Sequence, residues 1–155
     1  MVLVACATAA THGILVFPVA LVAERFGRRL PMLIGSVGLA VFAVPAFALL
    51  ATGDAVLIGL GFCLTMIPFT FVFAPVGPWL AEFFPTRVRY CGASSAFMIA
   101  SVLGGGFAPL IGTALVSGGR PPLLLGLYAA ALALLGAVAL LFSPETKNRS
   151  LTTAD

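Results

Sequence analysis

Charge is what this sequence has least of. Eight Lys or Arg and five Asp or Glu make 8% of the 155 residues, against roughly 25% in an ordinary soluble domain. With 61% of residues hydrophobic, a water-soluble fold of this length has too little interior to hide its apolar surface. Histidine occurs once, at His12, and no Gly-x-Ser-x-Gly or phosphate-binding loop is present, so no catalytic arrangement can be assembled and no cofactor is implied. The three cysteines, Cys6, Cys63 and Cys91, lie far apart and form no CxxC pair, which argues against a disulfide framework and a metal site. The net charge of +3 comes without a basic face or alternating aromatic and basic residues, so nucleic acid is not an expected partner. No Lys or Arg precedes the first apolar run, which continues to Ala23. It therefore reads as a spanning helix rather than a cleaved export signal.

What is abundant is apolar sequence in long runs. Five stretches, 1–23, 30–53, 55–81, 91–119 and 121–143, each reach the about 20 residues needed to cross about 30 Å of hydrocarbon. The expectation is an all-α integral membrane protein: a bundle of about five transmembrane helices over 1–143, with a cytoplasmic tail at 144–155. The lipid bilayer is then the first partner. If all five cross, alternate breaks share a side. One side receives Arg25, Arg28, Arg29, Arg87, Arg89, Lys147 and Arg149; the other receives only Arg120. Positive charge marks the cytoplasmic face, so the N-terminus is expected outside and the C-terminus inside a cell membrane. Trp79 and Tyr90 suit the cytoplasmic interfacial belt.

Within the fourth stretch small residues recur every four positions at Gly92, Ala96, Ala100, Gly104, Ala108 and Gly112. Such a row forms a groove into which another helix backbone can pack, although Ala and Gly are also simply common here. Gly104, Gly105 and Gly106 lie in an apolar helix and read as packing residues. Pro45, Pro68, Pro75, Pro78 and Pro109 interrupt the helices. Bent helices are typical of transporter binding and gating regions, and prolines are also generally better tolerated in membrane helices. His12 lies deep in a span, either as a proton or substrate contact or within a polar seam with Thr8 and Thr11.

Two charged segments carry most of the information. The first is Glu24-Arg25-Phe26-Gly27-Arg28-Arg29, a compact turn needing a small residue at Gly27. It resembles the Asp-Arg-x-Gly-Arg-Arg signature between the second and third helices of each half of the major facilitator superfamily, with Glu24 where the family prefers Asp and Ala20 where it usually has Gly. The second is Glu82-Phe83-Phe84-Pro85-Thr86-Arg87-Val88-Arg89-Tyr90-Cys91-Gly92, followed by Gly104-Gly105-Gly106-Phe107-Ala108-Pro109. It is similar to the Glu-x-Phe-Pro-Thr-x-x-Arg-Tyr-x-Gly and Gly-Gly-Gly-x-x-Pro pattern of the metabolite:proton symporter family. The ending Pro144-Glu145-Thr146-Lys147 resembles sugar porters of the same superfamily.

The resemblance implies a partial C-terminal six-helix half, comprising helices eight to twelve of a twelve-helix fold. It further implies proton-coupled uptake of a small metabolite, an organic acid or a zwitterion, once an N-terminal half is supplied. It places Glu24, Arg25, Gly27, Arg28, Arg29, Glu82, Pro85, Arg87 and Arg89 in a cytoplasmic loop and gate network. It places Gly92, Gly104, Gly105, Gly106, Pro109 and Gly112 in helix packing. The same charges could instead merely set topology. A non-transporting membrane packing module is the alternative from another class.

Overall fold

The computed structural model describes residues 2–117, 121 and 123–143. Five helices in it are long and apolar enough to cross a membrane. They are α1 (Val2–Phe26), α2 (Arg29–Leu50), α3 (Ala55–Glu82), α4 (Arg89–Val116) and α5 (Leu123–Phe142). There is no strand among the described residues. The expected tail at 144–155 lies outside those residues, as do Arg120, Lys147 and Arg149.

Helix ends follow local chemistry. α1 continues past Ala23 through Glu24, Arg25 and Phe26, because long charged side chains at a membrane edge can reach water from a helical backbone. It stops at Gly27, whose φ of 97° suits a residue without Cβ, so Gly27 and Arg28 alone connect α1 to α2. At the opposite end, the Asp54 carboxylate accepts from the Val56 N–H at 2.8 Å and caps α3. The α3–α4 connection contains a turn in which the Val88 N–H donates to the Pro85 carbonyl at 3.1 Å.

α4 is interrupted. Its Arg89–Ser101 and Phe107–Val116 parts are α-helical, and Val102–Gly106 between them is a π-helix. The wider turn falls on Gly104, Gly105 and Gly106, residues that favour the regular helix least among non-prolines.

α2 is the centre of the bundle, packed on α3 and α5, while α1 packs chiefly on α3. Its buried face is made of Pro31, Met32, Gly35, Ser36, Ala43 and Ala46. Small residues dominate because helices in lipid associate by close fit and not by escape from water. A Cβ on Gly35 would lie 2.6 Å from the Pro68 carbonyl oxygen, and one on Gly126 would lie 3.1 Å from Val44 Cα. α4 has no buried residue among those described and touches only the edges of α3 and α5. Large apolar side chains cover the outside, with Phe17 72% and Ile14 74% exposed, as a lipid-facing surface requires.

Candidate functional site

The sequence places most of its charge at one end of the bundle, and the structure joins Arg28 and Glu82 there. Arg28, on the α1–α2 turn, reaches the last residue of α3: its Nη2 lies 2.8 Å from Glu82 Oε1, with both side chains largely covered. A carboxylate at a helix C-terminus meets the negative end of the helix dipole, so Glu82 requires a cation there. Arg29 follows at the start of α2 and donates from Nη2 to the Leu141 carbonyl at the end of α5. Two adjacent arginines thus tie the ends of three helices to the Gly27 turn. Glu24 and Arg28 line a small cleft of about 60 Å³ with Ala20, Ala23, Ala74, Pro75 and Pro78. Arg25 is exposed on the last turn of α1.

The second charged segment folds back on itself. Pro85 and Arg87 are exposed in the connection, while Arg89 is half-buried at the start of α4. Phe84 lies so close to Gly92 that a Cβ there would come within 2.4 Å of its ring. This gives the spacing between Glu82 and Gly92 a concrete reason: the chain turns at Pro85 and seats Phe84 on the glycine. Trp79 packs edge-on against Phe83 with ring centroids 4.7 Å apart, and Tyr90 is 86% exposed.

The remaining glycines of α4 are less engaged. A Cβ on Gly112 would meet Leu125 Cδ2 at an ordinary 3.5 Å, whereas one on Gly104, Gly105 or Gly106 would meet nothing within 4 Å. Pro109 is exposed. The closest approaches between helices fall at Gly35, Gly38, Gly61 and Gly126, which the sequence motifs do not mark. The spacing of Gly35, Gly38, Ala43 and Ala46, with three of the four buried and Gly38 half-buried, was the available signal.

His12 sits well away from this end. It is half-buried and its Nδ1 lies 2.8 Å from Thr70 Oγ1 on α3. Thr70 is fully buried and donates its hydroxyl proton to the Met66 carbonyl at 2.7 Å. The imidazole lies against the rings of Phe69 and Phe73, at centroid distances of 5.7 and 5.6 Å. Among the described residues no three His, Cys, Asp or Glu side chains come together as a metal site needs.

The five spanning helices agree with the comparison to known proteins. The profile of the sugar (and other) transporter family matches residues 2–155. The chain belongs to that family, within the major facilitator superfamily. It is 39% identical over 140 residues to the inner membrane metabolite transport protein YhjE of Escherichia coli, covering 90% of this chain and 32% of that protein. To the proline/betaine transporter of Escherichia coli it is 34% identical over 134 residues, covering 86% of this chain and 27% of that protein. To the glycine betaine/proline/ectoine/pipecolic acid transporter OusA of Dickeya dadantii it is 37% identical over 137 residues, covering 86% and 26%. The chain therefore spans about a third or less of the length of these relatives. They are transporters and not enzymes. No solved structure matches.

Proposed function

We propose that this chain supplies helices eight to twelve of a proton-coupled symporter for a small metabolite, acting together with an N-terminal portion that completes the fold. The N-terminus faces outward and the C-terminus faces the cytoplasm. The Arg28–Glu82 pair carries the reading, because it joins the two segments that resemble the family signatures, one from each of two separate connections. In the cycle, the pair and the Arg29 contact to α5 hold the cytoplasmic ends together while the inner side is closed. They part as the two halves rock and the inner side opens. Glu24, Arg87 and Arg89 shape this same face. The exposed length of α4, with its three open glycines, is where the completing portion packs.

The substrate is an organic acid or a zwitterion. The proline/betaine and OusA relatives support the zwitterion class, and a shikimate transporter of Escherichia coli, 35% identical over 96 residues, supports the acid class. The test is uptake into proteoliposomes carrying the chain joined to a matching N-terminal portion under an inward proton gradient. Labelled dicarboxylates, shikimate, proline, betaine and a sugar form the panel. Saturable accumulation of one class that collapses with the gradient is expected. Accumulation indifferent to the gradient, or none of any compound, contradicts the reading.

A further inference from the structure

We propose that His12 is the proton-binding group of the bundle interior, locked by Thr70 as its Nδ1–H tautomer so that Nε2 is the nitrogen that takes up and releases the proton. The inference deepens the proton-coupled reading above and rests on it for its role in transport. Its geometry stands alone.

The lock follows from proton counting. A threonine hydroxyl carries one proton. With that proton directed at the Met66 carbonyl, 2.7 Å away, Thr70 can only accept from His12. In that arrangement the 2.8 Å contact is made by a proton on His12 Nδ1. In the neutral ring this leaves Nε2 as the lone-pair nitrogen. Protonation at Nε2 keeps the Nδ1–H bond to Thr70, because both nitrogens donate in the imidazolium, so the ring gains charge without turning over. Phe69 and Phe73 pack on the ring with centroids at 5.7 and 5.6 Å and shield it on that side.

The surroundings leave His12 as the group to titrate at this depth. α3 and α2, the helices packed on α1, carry charge only at Glu82 and Arg29, both at the far end. The thiol of Cys63 lies about two turns from Thr70 along α3. On α1 itself Cys6 lies between one and two turns before His12, and Glu24 lies about 18 Å beyond it. Thr8 and Thr11 are its polar neighbours along the helix. In the step itself, the Nε2 lone pair bonds a proton from hydronium, leaving water. Release to water on the other side reverses this, and no electrons change hands.

His12 is the single histidine of the chain, so histidine labelled with nitrogen-15 gives one imidazole in solid-state NMR of the 155-residue chain in lipid bilayers. At alkaline pH the expected spectrum has a protonated Nδ1 and an unprotonated Nε2. On acidification the added proton is expected on Nε2, with Nδ1 still protonated and still donating to Thr70. Thr70→Val, which can only remove the acceptor, moves the neutral ring towards the Nε2–H form, while Thr70→Ser keeps the wild-type tautomer. A neutral wild-type ring protonated on Nε2, or an Nε2 that stays bare throughout, overturns the assignment; if Thr70→Val fails to fold, the wild-type and Thr70→Ser spectra still decide. The measurement needs no substrate, so its failure leaves the transport reading standing, and absent uptake in the assay above leaves the tautomer result standing.

Discussion

Arg28 and Glu82 meet at 2.8 Å although they belong to different connections of the chain, and their contact closes one end of α1, α2 and α3 together. Neither residue fills the bundle. Both sit where helices end, and Arg29 extends the same tie to the end of α5. An end clasp of this kind can form or part without disturbing the packing of α2 on its neighbours, which lies deeper along the helices.

That deeper packing makes a contrast among glycines. Gly35→Ala places a methyl 2.6 Å from the Pro68 backbone oxygen, which α3 cannot move without separating from α2. The expected loss is about 1–3 kcal/mol, the usual cost of overpacking. Gly104→Ala in the same chain meets open space and should fall within about 0.5 kcal/mol of neutral. Thermal unfolding of the two variants in detergent, followed by circular dichroism, measures the difference. Equal melting temperatures contradict the packing described.

A second contrast concerns the turn before α4. Gly92→Ala brings its methyl into the Phe84 ring, and the expected result is a lower melting temperature. Removing the ring as well, in Gly92→Ala with Phe84→Ala, should restore part of that loss relative to the two single changes taken separately. Strict additivity contradicts the contact, since residues that touch couple by about 0.5–3 kcal/mol.

Much of this architecture was legible in the sequence, because few charges in an apolar chain can stand only at helix ends. Gly27, Glu82 and Asp54 mark three of those ends. What stayed hidden was partner choice across distance: nothing in the sequence says that Arg28 selects Glu82, that Arg29 selects Leu141, or that His12 selects Thr70 of another helix over the threonines of its own. The row of small residues in α4 was visible, yet of its glycines only Gly92 is met tightly, by Phe84 of the preceding turn, and the tight approaches between helices belong to Gly35, Gly38, Gly61 and Gly126. Spacing shows that a face is thin; only the neighbouring helix decides whether that face is used. The π-helical turn at Val102–Gly106 was also missed, because periodicity in a wholly apolar, glycine-rich stretch does not reveal one extra residue per turn.

The proposed sidedness rests on the charge asymmetry of the sequence and can be tested directly. In a background lacking Cys6, Cys63 and Cys91, Asp54→Cys should react with an impermeant thiol reagent added outside intact cells. Arg87→Cys, exposed on the opposite end, should react only after the membrane is opened. External labelling of Arg87→Cys, or protection of Asp54→Cys, reverses the orientation.

Exchanging the two charges tests whether the transport cycle makes and breaks the Arg28–Glu82 pair as proposed. Initial uptake rates are measured in proteoliposomes for the completed transporter, for Arg28→Glu, for Glu82→Arg, and for both together. Each single change puts like charges at the 2.8 Å contact and should slow uptake by about tenfold, the equivalent of about 1.4 kcal/mol in the barrier, with little change in substrate affinity. The doubly exchanged protein should recover most of the lost rate. If both together are as slow as the slower single change, or if either single change leaves the rate intact, the pair is not part of the cycle.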